Sequence, residues 1–114
     1  MNFKCSDFAR QQKNNGQTAL HLAARKGNVE ISKMLIEAMK KEDLNIQNAC
    51  GDTALIEAAF NGYSKVVEML AEAGADVNIR SNDGVWRGKT ALTMAEQENK
   101  PEVVEVLKKF NAIE

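Results

Sequence analysis

One block recurs along the chain and narrows what it can fold into. Thr18-Ala19-Leu20-His21-Leu22-Ala23-Ala24 returns as Thr53-Ala54-Leu55-Ile56-Glu57-Ala58-Ala59 and again as Thr90-Ala91-Leu92-Thr93-Met94-Ala95. The steps, Thr18 to Thr53 and Thr53 to Thr90, are 35 and 37 residues, a period that belongs to stacked supersecondary units. Each block runs into a second apolar stretch: Val29 to Ile36, Val66 to Leu70, and Val103 to Leu107. Their periodicity is helical, not alternating. Gly27-Asn28 and Asn61-Gly62 separate the stretches; such residues accept positive φ and turn the chain back. Gly16, Gly51 and Gly88 stand two residues before Thr18, Thr53 and Thr90, which predicts a turn feeding a Thr N-cap. The unit is therefore helix-turn-helix, and the aromatic-poor, alanine- and leucine-rich composition suits it.

Gly74-Ala75-Asp76-Val77-Asn78 completes a pattern that, with the three Thr-Ala-Leu blocks, resembles the ankyrin-repeat family over about residues 13 to 111. The resemblance implies an all-α solenoid of helix-turn-helix units joined by β-turn fingers. It further implies a single domain with a cap segment at 1–13, repeats at 14–47 and 48–80, and a third repeat with its C-terminal cap at 81–114. Departures from the family signature are Ala19, Ala54 and Ala91 where Pro is usual, and Ile56 and Thr93 where the first repeat keeps His21. Asn45 to Asn78 is 33 residues, the family period. The irregular steps are thus local insertions. Met39 to Glu42 lengthens the exit from the first repeat by two residues. Asn45 to Thr53 is eight residues and Asn78 to Thr90 twelve, so four extra residues enlarge the third finger, Ser81 to Lys89, which carries Trp86.

A solenoid needs polar outer faces on its end repeats. Glu96 at the position of Ala24 and Ala59, and Lys108 at that of Ile36 and Ala71, supply one at the C-terminal end. The first repeat is apolar on both faces of its second helix, through Ile31 and Ile36. Residues 1–13 are expected to cover it with Phe3, Phe8 and Ala9, as in a complete small protein; missing upstream repeats are the alternative.

The formal charge of −1 divides into +3 over residues 1–47 (8 basic, 5 acidic) and −4 over 48–114 (7 basic, 11 acidic). Neither half has a nucleic-acid footprint. No apolar run reaches signal or membrane length. Cys5 and Cys50 lie outside any CxxC or Cys/His cluster, so neither a zinc site nor a disulfide framework is expected, and a reducing, cytoplasmic setting fits. Three repeats are near the lower limit for independent stability, so modest thermal resistance is expected, well short of a Tm of about 90 °C.

Catalytic chemistry finds no constellation. His21 is the only histidine, and the resemblance gives it a structural role near the turn and the Thr. Glu57 and Glu96 sit on different helices and read as solvated side chains. Gly88-Lys89-Thr90 mimics the tail of a P-loop without the upstream glycine. No enzyme activity, cofactor, metal or small-molecule substrate is expected. The neighbourhood of Asn78, with Leu70, Asp76 and Val77, resembles the context in which ankyrin proteins undergo asparaginyl hydroxylation; a plain turn residue is the favoured reading.

Family resemblance places partner contacts on the concave face, along the fingers and the exposed ends of the first helices. Carried across, these positions are Asn14, Asn15, Gln17, Arg25 and Lys26 in the first repeat. In the second they are Gln47, Ala49, Cys50, Asp52, Phe60 and Asn61, and in the third Arg80, Trp86, Arg87, Lys89, Gln97 and Glu98. Phe60, Trp86 and Arg87 are the types that anchor interfaces. Alternatives are a Trp86 ring folded back over the second repeat, a Phe60 contact within the stack and a merely solvated Arg87. Cys50 is expected to be an incidental surface thiol. The expected assembly is a monomer that binds another protein, not nucleic acid or membrane; a segment with a structural role in a longer array is the second reading.

Overall fold

The computed structural model describes residues 18–48, 50–82 and 86–113. They form six α-helices and no strand: α1 Ala19–Lys26, α2 Val29–Ala38, α3 Ala54–Asn61, α4 Ser64–Glu72, α5 Ala91–Gln97 and α6 Pro101–Lys109, with a 3-10 turn at Lys41–Asn45. Each consecutive pair is one repeat. The first helices pack in the row α1, α3, α5 and the second helices in the row α2, α4, α6, as the repeat requires.

The caps lie where the sequence puts them. Thr18, Thr53 and Thr90 each hold an extended backbone, and their hydroxyls accept from the backbone N–H groups of His21, Ile56 and Thr93. Gly27 and Gly62 end α1 and α3 in the left-handed conformation, at φ 70° and 82°. The first has a second reason to be glycine: a Cβ there would lie 2.6 Å from the Tyr63 ring. In the third repeat Asn99 takes the equivalent place at φ 58°, a geometry Asn tolerates better than most residues.

Leu20, Leu55 and Leu92 point from successive first helices into the core, and Ala24, Ala58, Ala59 and Ala95 let the neighbouring helices close on one another. Val66, Val67, Leu70, Val103 and Leu107 supply the second row. The first repeat is thinner. Within α2 only Ser32 is buried, while Leu35 and Ile36 are half-buried. The hydroxyl of Ser32 has no hydrogen-bond partner among the described residues, and Val67 and Val104 occupy the matching positions in the next repeats. Ser32→Ala removes an unpaired buried hydroxyl and improves helix propensity, so it is expected to stabilise the chain by about 1 kcal/mol in urea unfolding. A loss of stability would show that the hydroxyl is satisfied.

At the other end Glu96 and Lys108 are exposed, as a cap demands. The C-terminal tail is tied down: Ile113 N–H donates to Asn78 Oδ1 at 2.8 Å, and the Thr90 hydroxyl donates to the Ile113 carbonyl at 2.6 Å. Asn78 thus works as a link from its turn to the tail, the same device by which Asn45 Oδ1 accepts from Asp76 N–H at 2.8 Å one repeat earlier. Phe3, Phe8 and Ala9 of the expected N-terminal cap lie outside the described residues.

Candidate partner interface

The two described fingers close alike but differ in size. In the second repeat Asn48 N–H donates to the Asp52 carbonyl at 2.9 Å; in the third, Ser81 N–H donates to the Lys89 carbonyl at 3.0 Å. One closure spans four residues and the other eight, which is the insertion read from the sequence. The fingers are joined side to side by Asn82 N–H donating to the Cys50 carbonyl at 2.9 Å. Gln47 adds its side-chain amide to the Gly51 carbonyl at 2.7 Å, and Arg80 Nη1 donates to the Gly88 carbonyl at 2.7 Å.

The enlarged finger sends its indole inward. Trp86 is 4 % exposed and meets half-buried Phe60 edge to face, with centroids 5.6 Å apart and planes at 82°. The folded-back alternative for Trp86 and the intrastack alternative for Phe60 describe the structure, and Trp86 is corrected from a surface anchor to a core residue. Its burial follows from the extra loop length, which lets the ring reach the second repeat.

Three further expected contact residues are also interior. Arg25 is 7 % exposed because its Nη2 pairs with Glu57 Oε2 at 3.3 Å across the first two repeats. Glu57 is therefore buried, not solvated, and also accepts from Asn48 Nδ2 at 3.3 Å. Asp52 is fully buried, and its backbone carbonyl accepts both from Asn48 N–H in the finger closure and from His21 Nε2. Cys50 is 2 % exposed beneath the neighbouring finger, and its sulfur is disulfide-bonded; the expectations of a free surface thiol and of no disulfide are both corrected. Sequence reasoning missed the Arg25–Glu57 pair, although one signal was present. The matching positions in the next interface are Phe60 and Met94, so charges of opposite sign occupied positions that are apolar one repeat later.

Lys26, Gln47, Asn61, Arg80, Arg87 and Gln97 are exposed, and Lys89 and Glu98 are partly so. These remain along the fingers and first-helix ends. Asn14, Asn15, Gln17 and Ala49 lie outside the described residues.

His21 has the structural role the resemblance implies. Its Nε2 lies 2.9 Å from the Asp52 carbonyl, which can only accept, so Nε2 carries the proton. Nδ1 then accepts from the Thr18 N–H at 3.1 Å and the Thr18 hydroxyl at 2.9 Å. Burial holds its pKa below the ordinary value of 6.5, outweighing the Asp52 carbonyl and the Glu57 charge. The unfolded chain therefore takes up this proton first as pH falls. The contribution of His21 is complete above pH 6.5 and is lost as pH drops from there through the lowered folded value. With one histidine in the chain, unfolding free energy is expected to fall between pH 7 and 5.5 by at most about 1.4 kcal/mol per pH unit, and His21→Gln is expected to flatten that slope. An unchanged slope in the variant would assign the effect elsewhere.

Helix pairs stacked at a regular period, Thr-capped and joined by hydrogen-bonded fingers, define a solenoid of the protein-interaction class. A family model described as ankyrin repeats, in three copies, matches residues 2–81; the chain belongs to the ankyrin-repeat family. It is 40% identical over 74 residues to alpha-latrotoxin-Lh1a of Latrodectus hasselti, covering 65% of this chain and 5% of the toxin. It is also 40% identical over 76 residues to the probable E3 ubiquitin-protein ligase XBOS33 of Oryza sativa subsp. japonica, covering 67% of this chain and 14% of the ligase. With the ankyrin repeat domain-containing protein SOWAHB of Homo sapiens it shares 34% identity over 88 residues, 71% of this chain and 11% of that protein. The chain thus spans a small fraction of the length of these relatives. Ankyrin repeats are generally non-catalytic protein-interaction modules. No helix among the described residues is long and apolar enough to cross a membrane.

Proposed function

We propose that this chain binds a partner protein through the concave face made by its fingers and first-helix ends. The observation that supports this most directly is the backbone link between fingers, Asn82 N–H to the Cys50 carbonyl. It fixes two fingers as one unit while leaving Gln47, Arg80 and Arg87 exposed. A row fixed before binding loses little entropy on binding. Lys26, Asn61 and Gln97 extend the row over the three repeats. The anchors are therefore Arg87 and Lys26, with Trp86 and Phe60 supporting the finger from beneath.

Charge reversal tests the reading without touching the core. A Lys26→Glu, Arg87→Glu variant is expected to keep the parent's Tm and to weaken the captured partner by tenfold or more, the order of an interface anchor worth about 2 kcal/mol. Equal binding by parent and variant would move the contact to another face.

A further inference from the structure

The third finger repeats a brace of the second and changes its charge. In the second finger the Gln47 side-chain amide donates to the Gly51 carbonyl at 2.7 Å. One repeat later Arg80 Nη1 donates to the Gly88 carbonyl, also at 2.7 Å, and Gly51 and Gly88 each stand two residues before a cap threonine. A neutral amide is thus enough for the brace. Arg80 spends a single guanidinium donor on it, so its charge and its Nε–Nη2 edge are left over. Counted back from the cap threonines, Arg87 and Lys89 stand where the second finger has Cys50 and Asp52. Residues 47–52 carry −1, from Asp52, whereas residues 80–89 carry +2, from Arg80, Arg87 and Lys89 less Asp83.

Backbone bonds hold these three cations together. Ser81 N–H donates to the Lys89 carbonyl at 3.0 Å, and Gly88 N–H returns to the Ser81 carbonyl at 2.8 Å, which pins Arg80 beside the corner made by Arg87, Gly88 and Lys89. Trp86, next in the chain, is buried against Phe60. The bond from Arg80 sets its guanidinium against the peptide that joins Gly88 to Lys89. Arg80 and Arg87 are exposed and Lys89 is half-buried, and none of them pairs with a carboxylate among the described residues. Like charges held this closely repel one another, and an incoming anion relieves that repulsion. We propose that the third finger docks an acidic segment of the partner protein, a short run of Asp or Glu. This rests on the concave-face reading above and adds the partner's chemistry to it. Arg80 takes one carboxylate on its Nε–Nη2 edge, a fork that matches two oxygens, and Arg87 and Lys89 take the neighbouring carboxylates. A long polyanion such as nucleic acid does not fit as well. Beyond the finger it meets a chain whose formal charge is −1 and whose second helices expose Glu30, Glu37, Glu72, Glu102 and Glu105.

Hexaglutamate titrated into the isotope-labelled chain tests this through amide chemical shifts. Saturable shifts are expected at Gln47, Gly88 and Lys89 and are expected to be absent with hexaglutamine. Raising salt from about 50 to about 500 mM is expected to weaken the binding about tenfold, because exposed charges are screened. Arg80→Gln with Arg87→Gln is expected to weaken it about tenfold as well, a few-fold for each exposed ion pair lost. That variant is expected to keep its Tm within about 2 °C of the parent's, because glutamine at position 80 copies the Gln47 brace. The proposal is overturned by the absence of any shift, by equal shifts with hexaglutamine, or by undiminished binding to the folded variant. Shifts centred on Lys33, Lys65 or Lys108 of the second helices overturn it too. So does tighter binding of hexathymidylate or inorganic phosphate than of hexaglutamate, which makes the finger a phosphate site. None of these results decides the concave-face reading, which stands or falls on partner adducts from the uncharged positions Asn61 and Gln97.

Discussion

Trp86→Ala is expected to destabilise the chain by about 3–5 kcal/mol, the range for deleting a buried large aromatic. For a fold of this size that is much of the total, since natural domains hold only about 5–15 kcal/mol. The loss has two parts. One is the void left under the enlarged finger; the other is the edge-to-face contact with Phe60, worth about 0.5–1.5 kcal/mol beyond burial. Trp86→Phe is expected to cost far less, because it keeps an aromatic ring and removes a buried indole N–H that has no acceptor among the described residues. Urea denaturation of both variants checks this. If Trp86→Ala unfolds like the parent, the indole does not support the finger, and its place on the partner-binding surface would have to be restored.

The second large effect is at the Arg25–Glu57 pair. Their side chains are 6 % and 1 % exposed, so removing either leaves a buried charge without its partner, at a cost of about 3–5 kcal/mol. Arg25→Ala and Glu57→Ala are both expected in that range. The pair itself is not expected to be worth so much, because Nε and Nη1 of Arg25 have no partner among the described residues and the desolvation of both ions offsets their attraction. Arg25→Phe with Glu57→Met copies the next interface, Phe60 and Met94, into this one. That double variant is expected to fall within about 1 kcal/mol of the parent, less the loss of an acceptor for Asn48 Nδ2. A double variant as unstable as either single one would show that the charges are required for packing at this position.

These expectations trace what was legible in the chain. The helix pairs, the cap threonines, the glycine turns and the four-residue enlargement of the third finger could all be read, because each depends on residues near in sequence. Which side of a finger faces inward could not. Trp86 and Asp52 sit at positions that family resemblance makes variable and therefore exposed, and only the packed structure shows one ring drawn inward against Phe60 and one backbone carbonyl consumed. Arg25 and Glu57 were misjudged for a related reason. Charge suggests solvent, and the signal against it was a comparison across repeats: two charged side chains at positions that become aromatic and apolar one interface later.

The central claim is that partner contact lies on the finger and first-helix face. Site-specific photocrosslinking locates it most directly, with the crosslinking residue placed in turn at Lys26, Asn61 and Gln97 on that face and at Lys65 and Glu105 on the second helices, all exposed. Adducts to one protein from the first three positions and none from the other two are the expected result. Adducts chiefly from Lys65 and Glu105 would place the interface on the second-helix row and contradict the account.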